Sequence, residues 1–155
     1  MLQIALHRAN GIVSRLIRWQ QRGEWSHASV VLRSGAVIES REFIGVRQLP
    51  KLSAAKGEFI QVFNVECTDE QAEKIEEFLK KQIGKKYDYP MVLGFLSRST
   101  TEGHESGGKW FCSELAFAAF LQAGIQLLER IEAFEVSPPH LSYSPLLTPD
   151  YSIQG

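Results

Sequence analysis

The sequence predicts an α+β fold, an antiparallel sheet packed against helices, with a cysteine at the N-terminus of one helix. Three observations carry that prediction. The runs His27 to Leu32 and Ala36 to Ser40 flank Ser34-Gly35, a hairpin signature. Thr68-Asp69-Glu70-Gln71 fits a capping box, with Thr68 as N-cap and Gln71 three residues on. Leu115 to Leu121 is apolar nearly all the way round, as a buried helix is, and Gly124 follows where a helix end would place it.

The remaining elements follow in order. Leu2 to Leu6 reads as a short strand broken by Asn10-Gly11. Ile12, Val13, Leu16 and Ile17 recur at helical spacing and are expected to form the buried side of a helix, with Arg15, Arg18 and Gln21 outside. Gln21 to Glu24 is a turn. Beyond the hairpin, Ile44 to Leu49 reads as a short strand stopped by Pro50, and Glu58 to Val65 as a clearer one, rich in Phe, Ile and Val. Ala72, Ile75, Phe78, Leu79 and Ile83 make the apolar stripe of the capped helix, which Gly84 ends; Glu73, Glu76, Glu77, Lys80 and Lys81 are its wet face. Lys85 to Pro90 turns into a short helical piece, Met91 to Leu96, and a polar loop with Gly103, Gly107 and Gly108 leads to Trp110. Ile131 to Val136 reads as a strand. The tail from Ser137 carries Pro138, Pro139, Pro145 and Pro149 and is expected to wrap the surface without regular structure. No repeat and no linker appears, so residues 1–155 read as one domain.

Composition narrows the function. With 44% hydrophobic and 23% charged residues the balance is that of an ordinary globular protein, and a net charge of -1 argues against a nucleic-acid binder. Arg8, Arg15, Arg18 and Arg22 make the N-terminal part locally basic, as a solvated helix face or a phosphate site would be. Cys67 and Cys112 form no C-x-x-C pair and no zinc-type spacing, which favours a reducing compartment. The N-terminus shows no leader pattern and no apolar run reaches span length. A cytoplasmic chain without stable membrane insertion is expected, using no metal and no cofactor.

The chemistry centres on Trp110-Phe111-Cys112-Ser113-Glu114-Leu115. Cys112 falls where a loop enters a core helix, and the unpaired N–H groups and positive dipole end there stabilise a thiolate. Glu114, in the same turn, opposes this, so a basic partner is needed. A small buried cysteine packed like an alanine fits the same position. The candidate bases are His7, His27, His104 and His140. If the hairpin loop is Arg33-Ser34-Gly35, with Gly35 in the left-handed position, Leu32 pairs with Ala36, Val30 with Ile38 and Ala28 with Ser40. Ala28, Val30, Leu32, Ala36 and Ile38 then form a core face. His27, Ser29, Val31, Val37 and Glu39 share the other, with His27 and Glu39 diagonal neighbours. A two-residue loop would put them on opposite faces. An edge-strand surface pair remains the alternative.

A Ser-His strand, a hairpin-partner Glu, a Gly-Lys-Lys-Tyr-Asp turn, a late Phe-Cys-Ser-Glu-Leu helix and a Ser-Pro-Pro-His-Leu stretch after it resemble the circularly permuted papain-like hydrolases, the YiiX-like branch of the NlpC-type cysteine peptidase and amidase superfamily. The order His27, Glu39, Cys112 is that of the permuted branch. The resemblance implies a permuted papain-like fold, Cys112 as nucleophile, His27 as general base and Glu39 as the orienting third member. It also implies that Tyr87 lines the site or helps the oxyanion hole. Papain's glutamine donor has no counterpart between Ser106 and Phe111. The expected activity is cleavage of an amide bond in a small peptide or cell-wall-type fragment. A thioesterase or acyltransferase acting on a lipid or acyl substrate, and a non-catalytic binding domain, are the alternatives. Trp25 and Trp110 flank the base and nucleophile as groove walls or as core.

Other motifs weigh less. Ser53-Ala54-Ala55-Lys56 matches Ser-x-x-Lys without its companion motifs. His104-Glu105 reads as a solvated loop or a gate, His140 lacks a strand around it, and Cys67 reads as structural.

Overall fold

The computed structural model describes residues 1–88 and 109–155. The expected helical piece at Met91 to Leu96, the glycine loop and His104-Glu105 lie outside the described residues. Six strands form one antiparallel sheet: β1 (Leu2–Arg8), β2 (His27–Val31), β3 (Val37–Arg41), β4 (Gly45–Leu49), β5 (Phe59–Val65) and β6 (Thr148–Gln154), in the order β4-β3-β2-β1-β5-β6. Among the described residues the helices are α1 (Ile12–Gln21), α2 (Asp69–Gln82), α3 (Cys112–Gln122) and the single turn α4 (Pro138–Leu141).

The hairpin takes the three-residue loop. Val30 pairs with Ile38 and Val31 with Val37, Leu32 N–H donates to Ala36 O at 2.8 Å, and Gly35 has φ +85°. One sheet face carries Leu2, Ile4, Leu6, Ala28, Val30 and Ile38 into the main core. There it meets Ala72, Ile75 and Leu79 of α2 and Leu115, Phe117 and Phe120 of α3. The opposite face is also covered at its centre, where Ala5, Val31, Val37, Ile60 and Val62 pack under Leu49, Leu52, Ala54 and Ile153. That second layer explains why a strand bearing His27 and Glu39 also turns valines to the same side.

Both caps that frame the central helices are present. Gln71 N–H donates to Thr68 Oγ1 at 3.2 Å and Thr68 N–H to Gln71 Oε1 at 3.0 Å. At the end of α3, Ile125 N–H returns to Phe120 O (3.0 Å) and Gly124 N–H to Leu121 O (2.9 Å), a Schellman pair with Ile125 buried beside it. Ile83, assigned to the apolar stripe of α2, follows the end of the helix and is half in solvent.

Three expectations are corrected. Ile131 to Val136 is not a strand: Ala133–Glu135 is a 3-10 turn. The tail is not irregular, because Pro138 and Pro139 open α4, where a missing N–H costs nothing, and β6 pairs with β5 as an edge strand that tolerates Pro149. In α1 only Ile17 among the assigned apolar residues whose side chains are described turns inward; Ile12 and Leu16 are exposed.

Gly45 fixes how the sheet edge meets the turn after α2. Its φ is +90°, and a Cβ there would lie 2.2 Å from Lys85 O. Val46 N–H donates to that oxygen at 2.8 Å, and Gly84 N–H donates to Val46 O at 2.9 Å. Gly45→Ala is expected to lower the urea-unfolding free energy by about 2 kcal/mol or more, from the positive φ and the collision together.

Candidate active site

Glu39 and His27 meet as the hairpin register requires. His27 Nε2–H donates to Glu39 Oε2 at 2.6 Å, with both side chains buried. Glu39 is 2% exposed, and a lone carboxylate there would be driven to protonate. Burial does raise its pKa. The hydrogen bond and charge of His27, then Arg47 and Arg41, outweigh burial and hold the carboxyl well below its ordinary range. Arg47 faces Glu39 directly across β3–β4 and donates to Oε1 from Nη2 (2.7 Å) and Nε (2.9 Å). Arg41 Nη1 stands 3.8 Å from Oε2.

With Nε2 bound to Glu39, Nδ1 is the ring nitrogen left for Cys112, which lies close enough to raise the pKa of the ring. Burial lowers the pKa of His27. The charge and hydrogen bond of Cys112, joined by Glu39, reverse that and push it up to about 10. The ring is therefore held as imidazolium beside the sulfur.

Cys112 is the first residue of α3, and the helix's first intrahelical bond runs from Leu115 N–H to Phe111 O. The N–H groups of Cys112 and Ser113 precede that first intrahelical bond. The Glu114 carboxylate turns back to accept the Phe111 N–H at 3.2 Å. The segment entering the helix is pinned from the sheet: Ser40 Oγ donates to Trp110 O at 2.6 Å and Trp110 N–H to Lys86 O at 3.0 Å.

The three aromatic candidates separate. Tyr87 is buried in a cluster with Ile17, Phe111 and Cys112, its ring edge-on to Phe111 at 5.8 Å, and it lines a narrow crevice with His27. Trp110 turns toward α2, donating from Nε1 to Gln82 Oε1 at 3.0 Å and stacking edge-on against Phe78. Trp25 stacks on Phe59 at the start of β5. His140 Nδ1 accepts the Ser137 N–H at the start of α4. Cys67 is a free thiol against the main core. Ser53 and Lys56 lie in a loop without helix, so they are not one turn apart.

Sequence reasoning missed a second buried network beside the first. His7 bridges Glu58 Oε1 (Nδ1, 2.9 Å) and Ser29 Oγ (Nε2, 2.9 Å), and its ring stands edge-on to His27 with centroids 4.9 Å apart. Burial lowers the pKa of His7 and the charge on His27 adds to it, against the pull of Glu58, so His7 is neutral beside a charged neighbour. Arg47 was missed too. Extending the register through the next turn would have found it, because it lies directly opposite Glu39.

No family model and no curated protein matches the chain. A crystal structure of the metalloprotein yiiX from Escherichia coli O157:H7, DUF1105, matches 99% of this chain and 97% of that one, with a TM-score of 0.69 and 16% identity. The fold is YiiX-like. At that identity the likeness extends to the fold alone. Among the described residues no three His, Cys, Asp or Glu side chains gather as a metal-holding group, and both ring nitrogens of His7 and Nε2 of His27 are engaged. These donors do not fit a metal ion. No helix among the described residues is long and apolar enough to cross a membrane.

The pH dependence of the pair has a definite sign. The contribution of Glu39 is present above its ordinary value of 4.5 and lost as pH falls through its depressed one. That of His27 is complete below 6.5 and lost as pH rises through about 10. His27→Gln should therefore be less stable than wild type near neutral pH, with the gap in unfolding free energy narrowing as pH rises toward about 10. Arg47→Ala should cost about 1–2 kcal/mol and move acid unfolding to higher pH, followed by circular dichroism.

Proposed function

We propose that this protein is a cysteine hydrolase that cleaves an amide bond of a small peptide or cell-wall-type fragment. Cys112 is its nucleophile, His27 its general base and acid, and Glu39 the residue that orients the ring. The observation that carries the reading is a single imidazole bound to a buried, arginine-held carboxylate, with a cysteine that opens a helix close enough to raise its pKa. A purely structural cysteine needs none of these partners.

The steps follow from those contacts. The Cys112 thiolate attacks the acyl carbon while the His27 imidazolium keeps its proton. The developing oxyanion is met by N–H groups at the start of α3, Cys112 N–H first, in a buried setting where such donors count for most. The C–N bond breaks as His27 gives its proton to the leaving amine, leaving a thioester on Cys112. Neutral His27 then takes a proton from water, the hydroxide adds to the thioester, and the carboxylic acid departs as the thiolate reforms. Glu39 stays ionised throughout and holds the ring by Nε2. Cys112 is 2% exposed, and the crevice over His27 has room for about one water.

A second reading, a thioesterase or acyltransferase on a lipid or acyl substrate, uses the same residues. It is favoured by the apolar exposed side of α1, the helix whose Ser14 and Ile17 line the crevice.

Amino-acid p-nitroanilides and p-nitrophenyl acyl esters, with intact-mass detection of an acyl adduct on Cys112, test the proposal. Cys112→Ala is expected to abolish turnover and adduct, and His27→Ala to reduce turnover by about 10²–10⁴. Full activity in either variant rules the triad out. The ratio of anilide to ester turnover separates the two readings. Independently of any substrate, the NMR titration midpoint of His27 should fall in Cys112→Ala from about 10, because Cys112 is the largest influence raising it.

A further inference from the structure

The side of α1 that the sequence assigns to the core is turned to solvent. Ile12 is 85% exposed, Trp19 70% and Leu16 41%. Their i, i+4, i+7 spacing sets them in one stripe along the helix, with Ile17 buried on the opposite side. Arg15 lines the same shallow hollow as these three residues, and Arg22 caps the helix at its C-terminus. From Arg8 to Arg22 the chain has four arginines and no acidic residue, although its net charge is -1. Scattered exposed apolar residues need no explanation, but an ordered stripe beside segregated positive charge does.

We propose that α1 is a peripheral docking face for an anionic lipid surface, the helix lying flat with its stripe at the boundary between headgroups and acyl chains. Indole and aliphatic side chains favour that boundary, and guanidinium groups meet anionic headgroups above it. A second copy of this chain is a poorer occupant, because a two-fold contact through the stripe would bring the arginines of one copy against those of the other. Docking requires no turnover and stands apart from the hydrolase proposal.

The test is co-sedimentation of the full chain with vesicles of phosphatidylcholine alone or mixed equally with phosphatidylglycerol. The protein is expected to pellet with the mixed vesicles and stay in solution with phosphatidylcholine, its tryptophan emission moving to the blue. Trp19→Phe should remove that shift and Leu16→Asp should release the protein. Arg15→Gln and Arg22→Gln should each weaken partitioning about fivefold, an effect that added salt reproduces. Ile83→Asp, a half-exposed apolar residue elsewhere, should bind as wild type does. Thermal melts by circular dichroism establish that each variant is folded. Wild type left in solution with both vesicles, or Leu16→Asp binding as wild type does, overturns the proposal. Dimerisation in ultracentrifugation that Leu16→Asp abolishes, without vesicle binding, overturns it in favour of self-association.

Discussion

The constraint on which this structure turns is the ionised carboxylate of Glu39, buried in a sheet. Removing such a charge from water costs several kcal/mol unless hydrogen bonds and opposite charges replace the solvent. Here they come from three strands: His27 at the start of β2, Arg41 at the end of β3 and Arg47 on β4. The arrangement makes the outer strand β4 part of the site, since without its guanidinium the carboxylate would tend toward its neutral form and the imidazole would lose its charged partner. Fixing one ring nitrogen also determines which way the other one points.

The sulfur side is built by different means. Helix α3 is held by apolar packing along nearly its whole length, and Ser113 Oγ donates to Val136 O beneath the first turn. Its entry is tied to the sheet through Ser40 and to the turn after α2 through Lys86. Beside the charged His27 stands a neutral His7 whose two nitrogens are committed to Glu58 and Ser29, so the neighbouring ring is fixed in place without competing for the proton.

Much of this was legible in the residues, for reasons that can be named. Alternation through His27 to Leu32 and Ala36 to Ser40 admits one register that keeps apolar side chains together, and that register brings His27 beside Glu39. Thr68 with Gln71, and Gly124 after Leu121, mark helix ends by local chemistry that needs no tertiary context. The meeting of Cys112 with His27 is of another kind: they are far apart in the chain, and only the resemblance to permuted hydrolases joined them. The side of α1 was misread because periodicity reveals that a stripe exists but not whether anything packs on it. Composition misled in the tail, where Pro149 sits on an outer strand that does not need its N–H.

The turn at Gly84 to Lys86 has a consequence beyond joining a helix to the next segment. One flank is hydrogen-bonded to Val46, next to the arginine that clamps Glu39, and the other receives Trp110, two residues ahead of the sulfur. It works as a shared strut between Glu39 and Cys112. A one-residue insertion there would disturb the surroundings of both residues at once, so tolerance to length changes should be lower in this turn than in the Ser34-Gly35 loop.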